Sequence, residues 1–140
     1  MGAEADIRWA LQDVMLSYAS GVDDRDMDRY RGCFADDVEV VGFGDATVHG
    51  VDAWVDYVSA ALERFGPTQH MLSPMMATVA EDGQAASCRT DVQAWHELKD
   101  PAGHTLTLWA TYLSDMRLID GQWKIVRHEL VARGTRQVAP

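Results

Sequence analysis

Helical periodicity is confined to the first half of this chain: every repeat of apolar residues at helical spacing lies before residue 66, and the remainder is β-rich. Ile7, Leu11, Val14 and Tyr18 recur on one face, with Ala10 and Met15 beside them, and Gly21 offers a stop. Tyr18 therefore belongs to the buried face of a first helix. Asp24 or Asp26 can cap a short second helix that Gly32 ends, and Val38–Phe43 has strand composition, followed by a turn at Gly44-Asp45 and by Thr47–His49. Val51, Trp54, Val55, Val58 and Leu62 predict a third helix reaching about Phe65, where Gly66-Pro67 stops it. Four strands are predicted over roughly 68 to 80, 84 to 98, 104 to 118 and 122 to 132, joined by Asp82-Gly83, Lys99–Gly103 and Asp120-Gly121. Connections this short make the neighbours antiparallel. Helices gathered ahead of an antiparallel sheet specify an α+β domain, with one sheet face buried against the helices. Periodicity alone leaves open whether that sheet is flat or rolled into a cone.

At 140 residues the chain suits one domain spanning 1–140, large enough to bury roughly two thirds of its unfolded surface. No internal repeat or linker divides it. The net charge of −10, with no Lys/Arg cluster to offset it, repels phosphate backbones and argues against nucleic-acid binding. An uncharged or cationic small molecule is the better partner. Cys33 and Cys88 are too few for a disulfide framework and sit in apolar contexts, which suits a reducing cytoplasm. No apolar run reaches membrane-spanning length, and the start carries neither a basic nor an apolar leader, so a cytoplasmic protein without membrane contact is expected.

Lysine occurs only at Lys99 and Lys124, and asparagine not at all, which leaves few candidates for Schiff-base chemistry. A Gly-x-Ser-x-Gly elbow is missing, and Gly42-Phe43-Gly44 lacks the third glycine and following helix of a phosphate loop. Histidine, carboxylate, tyrosine and arginine must carry any chemistry. His70, in Thr68-Gln69-His70-Met71-Leu72, is the first candidate, because an imidazole with an ordinary pKa of about 6.5 can both take and give a proton near neutral pH. Asp23, after the first helix, could hold one ring nitrogen as a donor, present the other to substrate and stabilise the imidazolium. The competing reading is a core histidine bonded to backbone, with Asp23 capping the next helix.

Tyr18 and Asp23 at the end of the first helix come first, then Gly50 opening a helix, the Gln69-His70 strand, two Asp-Gly hairpins and a closing Gly121–Ile125 strand. In that order they resemble the SnoaL-like branch of the nuclear transport factor 2-like superfamily over nearly the whole chain. The resemblance implies a cone-shaped, curved antiparallel sheet packed on three N-terminal helices and enclosing a hydrophobic pocket. In scytalone dehydratase and bile acid 7α-dehydratase, an Asp after the first helix and a His at the start of the sheet serve proton abstraction, and Asp23 and His70 match them. Tyr18 keeps the spacing of a tyrosine five residues before the Asp of the bile acid enzyme. A phenol there could polarise a carbonyl or escort a leaving hydroxide.

Asp91 and Arg133 fall near a second Asp and an Arg of that enzyme, and a one-residue slip would turn either from cavity to outside. Trp95 occupies the position of the second histidine of scytalone dehydratase, with His96 one step away, a departure that argues against that enzyme's particular substrate chemistry. Tyr112 shares a mostly apolar face with His104, Leu106, Leu108 and Ala110, and stands eleven residues before Trp123 as in relatives. His128 is a further pocket candidate, although Ile125–Val131 shows no clean alternation. His96 and His104 flank a loop without a third ligand, so no metal is expected. Met71, Met75 and Met76 could fill either core or an adaptable pocket.

The resemblance thus implies a cofactor-independent lyase or isomerase of dehydratase type acting on a hydrophobic, carbonyl-containing molecule. Asp23, His70 and Tyr18 would be catalytic, and Tyr112, Asp91, His128, Arg133 and Trp95 would contact substrate. Polyketide cyclase-type ring closure and a non-catalytic ligand-binding or assembly module are the alternatives. Relatives cover the outer face of their sheet with another subunit, which implies a homodimer or homotrimer, with Trp9 and Trp109 available for the contact.

Overall fold

The computed structural model describes residues 2–140. Two helices, α1 (Gly2–Asp23) and α2 (Met27–Arg31), precede the strands β1 (Phe34–Val41) and β2 (Val48–His49), and a third, α3 (Val51–Leu62), follows them. Then come β3 (Phe65–Leu72), β4 (Met76–Val79), β5 (Ala85–Leu98), β6 (Thr105–Ile119) and β7 (Gln122–Val138). The sheet runs β2-β1-β7-β6-β5-β3, with β4 also paired to β5. Its pairings are antiparallel except for β1 against β7, which are parallel and joined only by the long excursion from β2 through β6. The expected α+β arrangement is present, with a mostly antiparallel sheet in place of a wholly antiparallel one.

Several boundaries move for identifiable reasons. α1 continues through Gly21 to Asp23. Gly21 is a packing position, where a Cβ would lie 3.0 Å from the backbone nitrogen of Tyr30, so its bareness lets α2 lie close against α1. Asp26 is the cap of α2, accepting from the Arg29 amide at 3.1 Å. The first strand begins at Phe34 instead of Val38. The predicted 68–80 strand is split at Ser73-Pro74-Met75, since Pro74 has no N–H for the ladder, and both pieces pair with β5. Phe65-Gly66-Pro67 opens β3, an edge position that tolerates proline. β7 extends six residues past the expected end at 132.

One sheet face packs on the helices. In β5 the residues Ala86, Cys88, Thr90, Val92 and Ala94 are buried while their odd-numbered neighbours are exposed, the period-2 alternation of a strand with one dry face. Leu11 and Met15 of α1 and Trp54 of α3 are fully buried against it, and burying side chains of the Leu or Met kind is worth about 1.5–3 kcal/mol each. Register shifts at Trp109/Ala110 and Asp115/Met116 interrupt the β6–β7 ladder; such bulges bend a sheet. The bend leaves room between sheet and helices.

Gly42 lets the end of β1 lie close against β7. It follows β1 with φ +91°, and a Cβ there would lie 2.2 Å from the Leu130 carbonyl oxygen of β7. Gly42→Ala should therefore cost about 2–3 kcal/mol or more, from overpacking plus backbone strain, read as a lowered midpoint in urea unfolding. A midpoint equal to wild type would show that the β1–β7 approach is slack.

Candidate active site

Asp23 is the last residue of α1, and the chain leaves the helix through Arg25, whose φ of 57° is the left-handed turn that reverses it toward α2. Arg25 clamps this helix end to the sheet. Its guanidinium donates to the Val22 carbonyl at 2.7 Å, to Thr68 Oγ1 at 2.9 Å and to the Gly66 carbonyl at 2.6 Å. Thr68 Oγ1, already accepting from Arg25, donates its own hydrogen to Asp23 Oδ1 at 3.0 Å. The carboxylate is thus placed by two elements before any contact with imidazole is counted.

His70 meets it twice. Its backbone N–H donates to Asp23 Oδ2 at 2.7 Å, and its ring Nδ1 lies 2.8 Å from Oδ1. A carboxylate only accepts, so Nδ1 carries a hydrogen, and in the neutral ring Nε2 keeps a free lone pair. The side chains are 10% (His70) and 18% (Asp23) exposed. Burial by itself raises the Asp23 pKa, but the hydrogen bonds from the His70 ring and amide and from Thr68, with the pull of a charged His70, outweigh it and hold the group below the usual carboxylate value.

His70 faces a cavity of about 120 Å³ whose lining includes Tyr18, Tyr30, Phe43, Trp54, Phe65, His96 and Tyr112. Larger clefts lie on the exterior, one of about 920 Å³ among them, but none has these residues in its wall. His96 sets its ring edge-on to His70, centroids 5.7 Å apart. Its Nδ1 donates to the Leu106 carbonyl at 3.0 Å, and burial lowers its pKa, so it is a neutral imidazole with Nε2 unprotonated. Behind the cavity, Tyr18 Oη lies 3.0 Å from His128 Nε2, and His128 Nδ1 lies 2.8 Å from Ser114 Oγ. His128 is completely buried, and burial drives its pKa down to about 3. Burial likewise holds the phenols of Tyr18, Tyr30 and Tyr112 above their ordinary range.

Of the residues singled out in the sequence, Asp23, His70, Tyr18 and Tyr112 come together here, and His128 stands behind Tyr18, in contact with it but outside the lining. Three others do not join them. Asp91, Trp95 and Arg133 are on the outer face of the sheet: Asp91 and Trp95 have the odd parity of β5 that points away from the helices, and Arg133 is the extra residue at a bulge opposite Trp109/Ala110. Asp91 accepts from Thr111 Oγ1 at 2.8 Å, and Arg133 Nε donates to the same Thr111 at 3.3 Å, a polar network on the sheet face away from the cavity. His96, not Trp95, takes the inward position, which removes the departure from a two-histidine arrangement. Met71 and Met76 are exposed and do not line the pocket.

Arg25, Thr68, His96 and Trp54 are the contributors that sequence reasoning missed. For Arg25 a signal existed, since a basic residue just past a helix end can satisfy the last carbonyls. Among the described residues no three His, Cys, Asp or Glu side chains gather as metal ligands, and no helix is long and apolar enough to cross a membrane.

A family profile described as a SnoaL-like domain matches residues 3–129. A protein from Novosphingobium aromaticivorans DSM 12444, described provisionally as a scytalone dehydratase, superposes with TM-score 0.89 at 22% identity, covering 99% of this chain and 92% of its own. The hexachlorocyclohexane dehydrochlorinase LinA-type3 from Novosphingobium barchaimii LL02 superposes with TM-score 0.87 at 22% identity, covering 98% and 93%. At these identities the likeness is one of fold. No curated protein sequence matches the chain.

Proposed function

Because the chain belongs to the SnoaL-like domain family, we infer that it is a cofactor-independent lyase or isomerase that abstracts a proton from a hydrophobic, carbonyl-containing small molecule. The observation that carries this reading is the 2.8 Å contact between His70 Nδ1 and Asp23 Oδ1 beside a mostly apolar cavity. His70 Nε2 takes the proton α or γ to the carbonyl, the C–H electron pair becomes the enolate, and Asp23 stabilises the imidazolium across Nδ1–H. A positioned acid–base group of this kind is worth about 10²- to 10⁴-fold. Tyr18 or Tyr112 donates to the enolate oxygen, and exclusion of water strengthens that bond. Where the substrate has a β-hydroxyl, the enolate expels it, the proton on Nε2 leaves with it as water, and an enone remains.

The names of two structural neighbours, a provisional scytalone dehydratase and a hexachlorocyclohexane dehydrochlorinase, both describe eliminations, reactions in which a proton and a leaving group are lost. They support this reading over an inert assembly module. Ring closure of a polyketide type would start with the same abstraction and differ only in what the enolate attacks. The exposed Trp95, Trp109 and Leu113 on the outer sheet face support a homodimer or homotrimer built through that face.

The test is incubation of the protein in D₂O with a panel of small cyclic ketones, with and without a β-hydroxyl. Deuterium uptake is followed by NMR and enone formation by absorbance. Enzyme-dependent exchange on at least one ketone, lost in His70→Ala, is the expected result. Exchange that proceeds equally with His70→Ala, or that occurs on none of the panel, would remove the assignment.

A further inference from the structure

One donor of the cavity wall lacks an acceptor. Trp54 Nε1–H is fully buried and has no partner; the Tyr30 hydroxyl is nearby but does not close a hydrogen bond with it. Phenols can pass a hydrogen along from one oxygen to the next, so the orientation of one hydroxyl sets that of its neighbours. The orientation here depends on what stands behind Tyr18.

Ser114 Oγ, His128 and Tyr18 Oη form a line with contacts of 2.8 and 3.0 Å. Buried imidazole with a pKa pushed to about 3 is neutral, so it carries one hydrogen. With that hydrogen on Nδ1, His128 donates to Ser114 and accepts from Tyr18, and the Ser114 hydroxyl hydrogen is stranded, buried, with no other acceptor. With it on Nε2, Ser114 donates to Nδ1 and His128 donates to the Tyr18 oxygen, which releases the Tyr18 O–H toward the cavity. Each arrangement leaves one buried hydroxyl hydrogen over, but only the second leaves it on Tyr18, beside the Tyr30 and Tyr112 hydroxyls and the cavity, where an acceptor can reach it. The second is therefore the cheaper arrangement.

We propose that Ser114 and His128 fix Tyr18 as a donor, and that Tyr18 O–H and Trp54 Nε1–H together form a subsite taking the oxygen of a one-ring ketone or of the enolate derived from it. The cavity of about 120 Å³ is near the roughly 150 Å³ that holds a benzene ring, which sets the ligand's size. The proposal rests on the proton-abstraction reading only in identifying that oxygen with the carbonyl of the reacting molecule. Ser114 and His128 are positioning residues, acting through Tyr18.

Two NMR measurements test it without turnover. In the ligand-free protein, a long-range ¹H–¹⁵N spectrum should show His128 with a protonated, pyrrole-type Nε2 and a bare, pyridine-type Nδ1. On titration with cyclohex-2-enone the Trp54 indole N–H, assigned by its loss in Trp54→Phe, should move downfield, whereas cyclohexene should leave it in place. Trp54→Phe should weaken cyclohexenone binding by about 3- to 10-fold, the scale of one lost hydrogen bond, and leave cyclohexene binding unchanged. Ser114→Ala, which frees His128 to invert its tautomer, should do the same, and it serves if Trp54→Phe does not fold. A hydrogen found on Nδ1, equal indole shifts with both ligands, or equal affinity in the folded variant would overturn the subsite. A protein that passes all of these yet exchanges no ketone proton would keep the subsite and lose the catalytic reading.

Discussion

Asp23→Asn should lower turnover by about 10²- to 10⁴-fold, although the two side chains have the same shape. Each carboxylate oxygen is already committed: Oδ1 accepts from Thr68 and from the His70 ring, and Oδ2 accepts from the His70 backbone amide. An amide cannot meet these demands in either orientation. With its NH₂ in place of Oδ1, it donates to Nδ1 and drives the ring hydrogen to Nε2, so the lone pair that should take the substrate proton is gone. With its NH₂ in place of Oδ2, it faces the backbone N–H donor to donor, which costs about 1–3 kcal/mol of stability, and the imidazolium loses its counter-charge. His70→Ala should be at least as damaging, because it removes the base itself. The double variant should be little worse than His70→Ala alone, since the two residues act as one unit. Ketone deuterium exchange, with far-UV circular dichroism to check folding, reads all three. A folded Asp23→Asn protein exchanging at the wild-type rate would mean that the pair is structural.

That pair was readable in the sequence because each partner sits next to a strong local signal: Asp23 at the end of an amphipathic helix, and His70 just after a Gly-Pro break that opens a strand. What brings them together was not readable. Arg25 and Thr68 are 43 residues apart, and no short-range pattern announces their contact. The outer-face residues fail for a different reason. Along β5 the small and apolar Cys88, Thr90, Val92 and Ala94 alternate with Arg89, Asp91, Gln93 and Trp95, so the parity that puts Asp91 and Trp95 outside, and His96 inside, was present in the letters. A position shared with a relative does not say which face its side chain takes, since a slip of one residue turns it over. For β7 parity was no guide: the bulges opposite Trp109/Ala110 and Asp115/Met116 shift the phase twice, turning His128 inward and leaving Arg133 outside. Trp54 was visible as a core residue of α3, but its unpaired N–H is a property of the packed cavity.

Acidification below about pH 6.5 should destabilise the protein steeply, with His128 as the largest contributor. This imidazole is wholly buried among Tyr18, Phe34, Phe43 and Tyr112, with no carboxylate in contact to compensate a positive charge. Its folded pKa of about 3 lies below the unfolded value of about 6.5. Between those two pH values the unfolded chain binds the proton and the native one does not, so stability rises with pH and is lost as pH falls. A displacement of that size is worth on the order of 4–5 kcal/mol once pH 3 is reached, a large share of the roughly 5–15 kcal/mol that holds a domain folded. His96, lowered by burial, and Asp23, held low by its hydrogen bonds, act with the same sign, His96 below its unfolded value and Asp23 only in the more acidic range under 3.8. His128→Gln should separate the terms. It gives up packing and the hydrogen bond to Tyr18, a cost of about 1–3 kcal/mol at neutral pH, but it has nothing to protonate. Urea unfolding at pH 7 and pH 4 should therefore show wild type losing about 3 kcal/mol more than the variant over that interval. Parallel losses would mean that water or a rearranged neighbour admits the charged imidazole, in which case the line from Ser114 to Tyr18 is not held by a neutral His128.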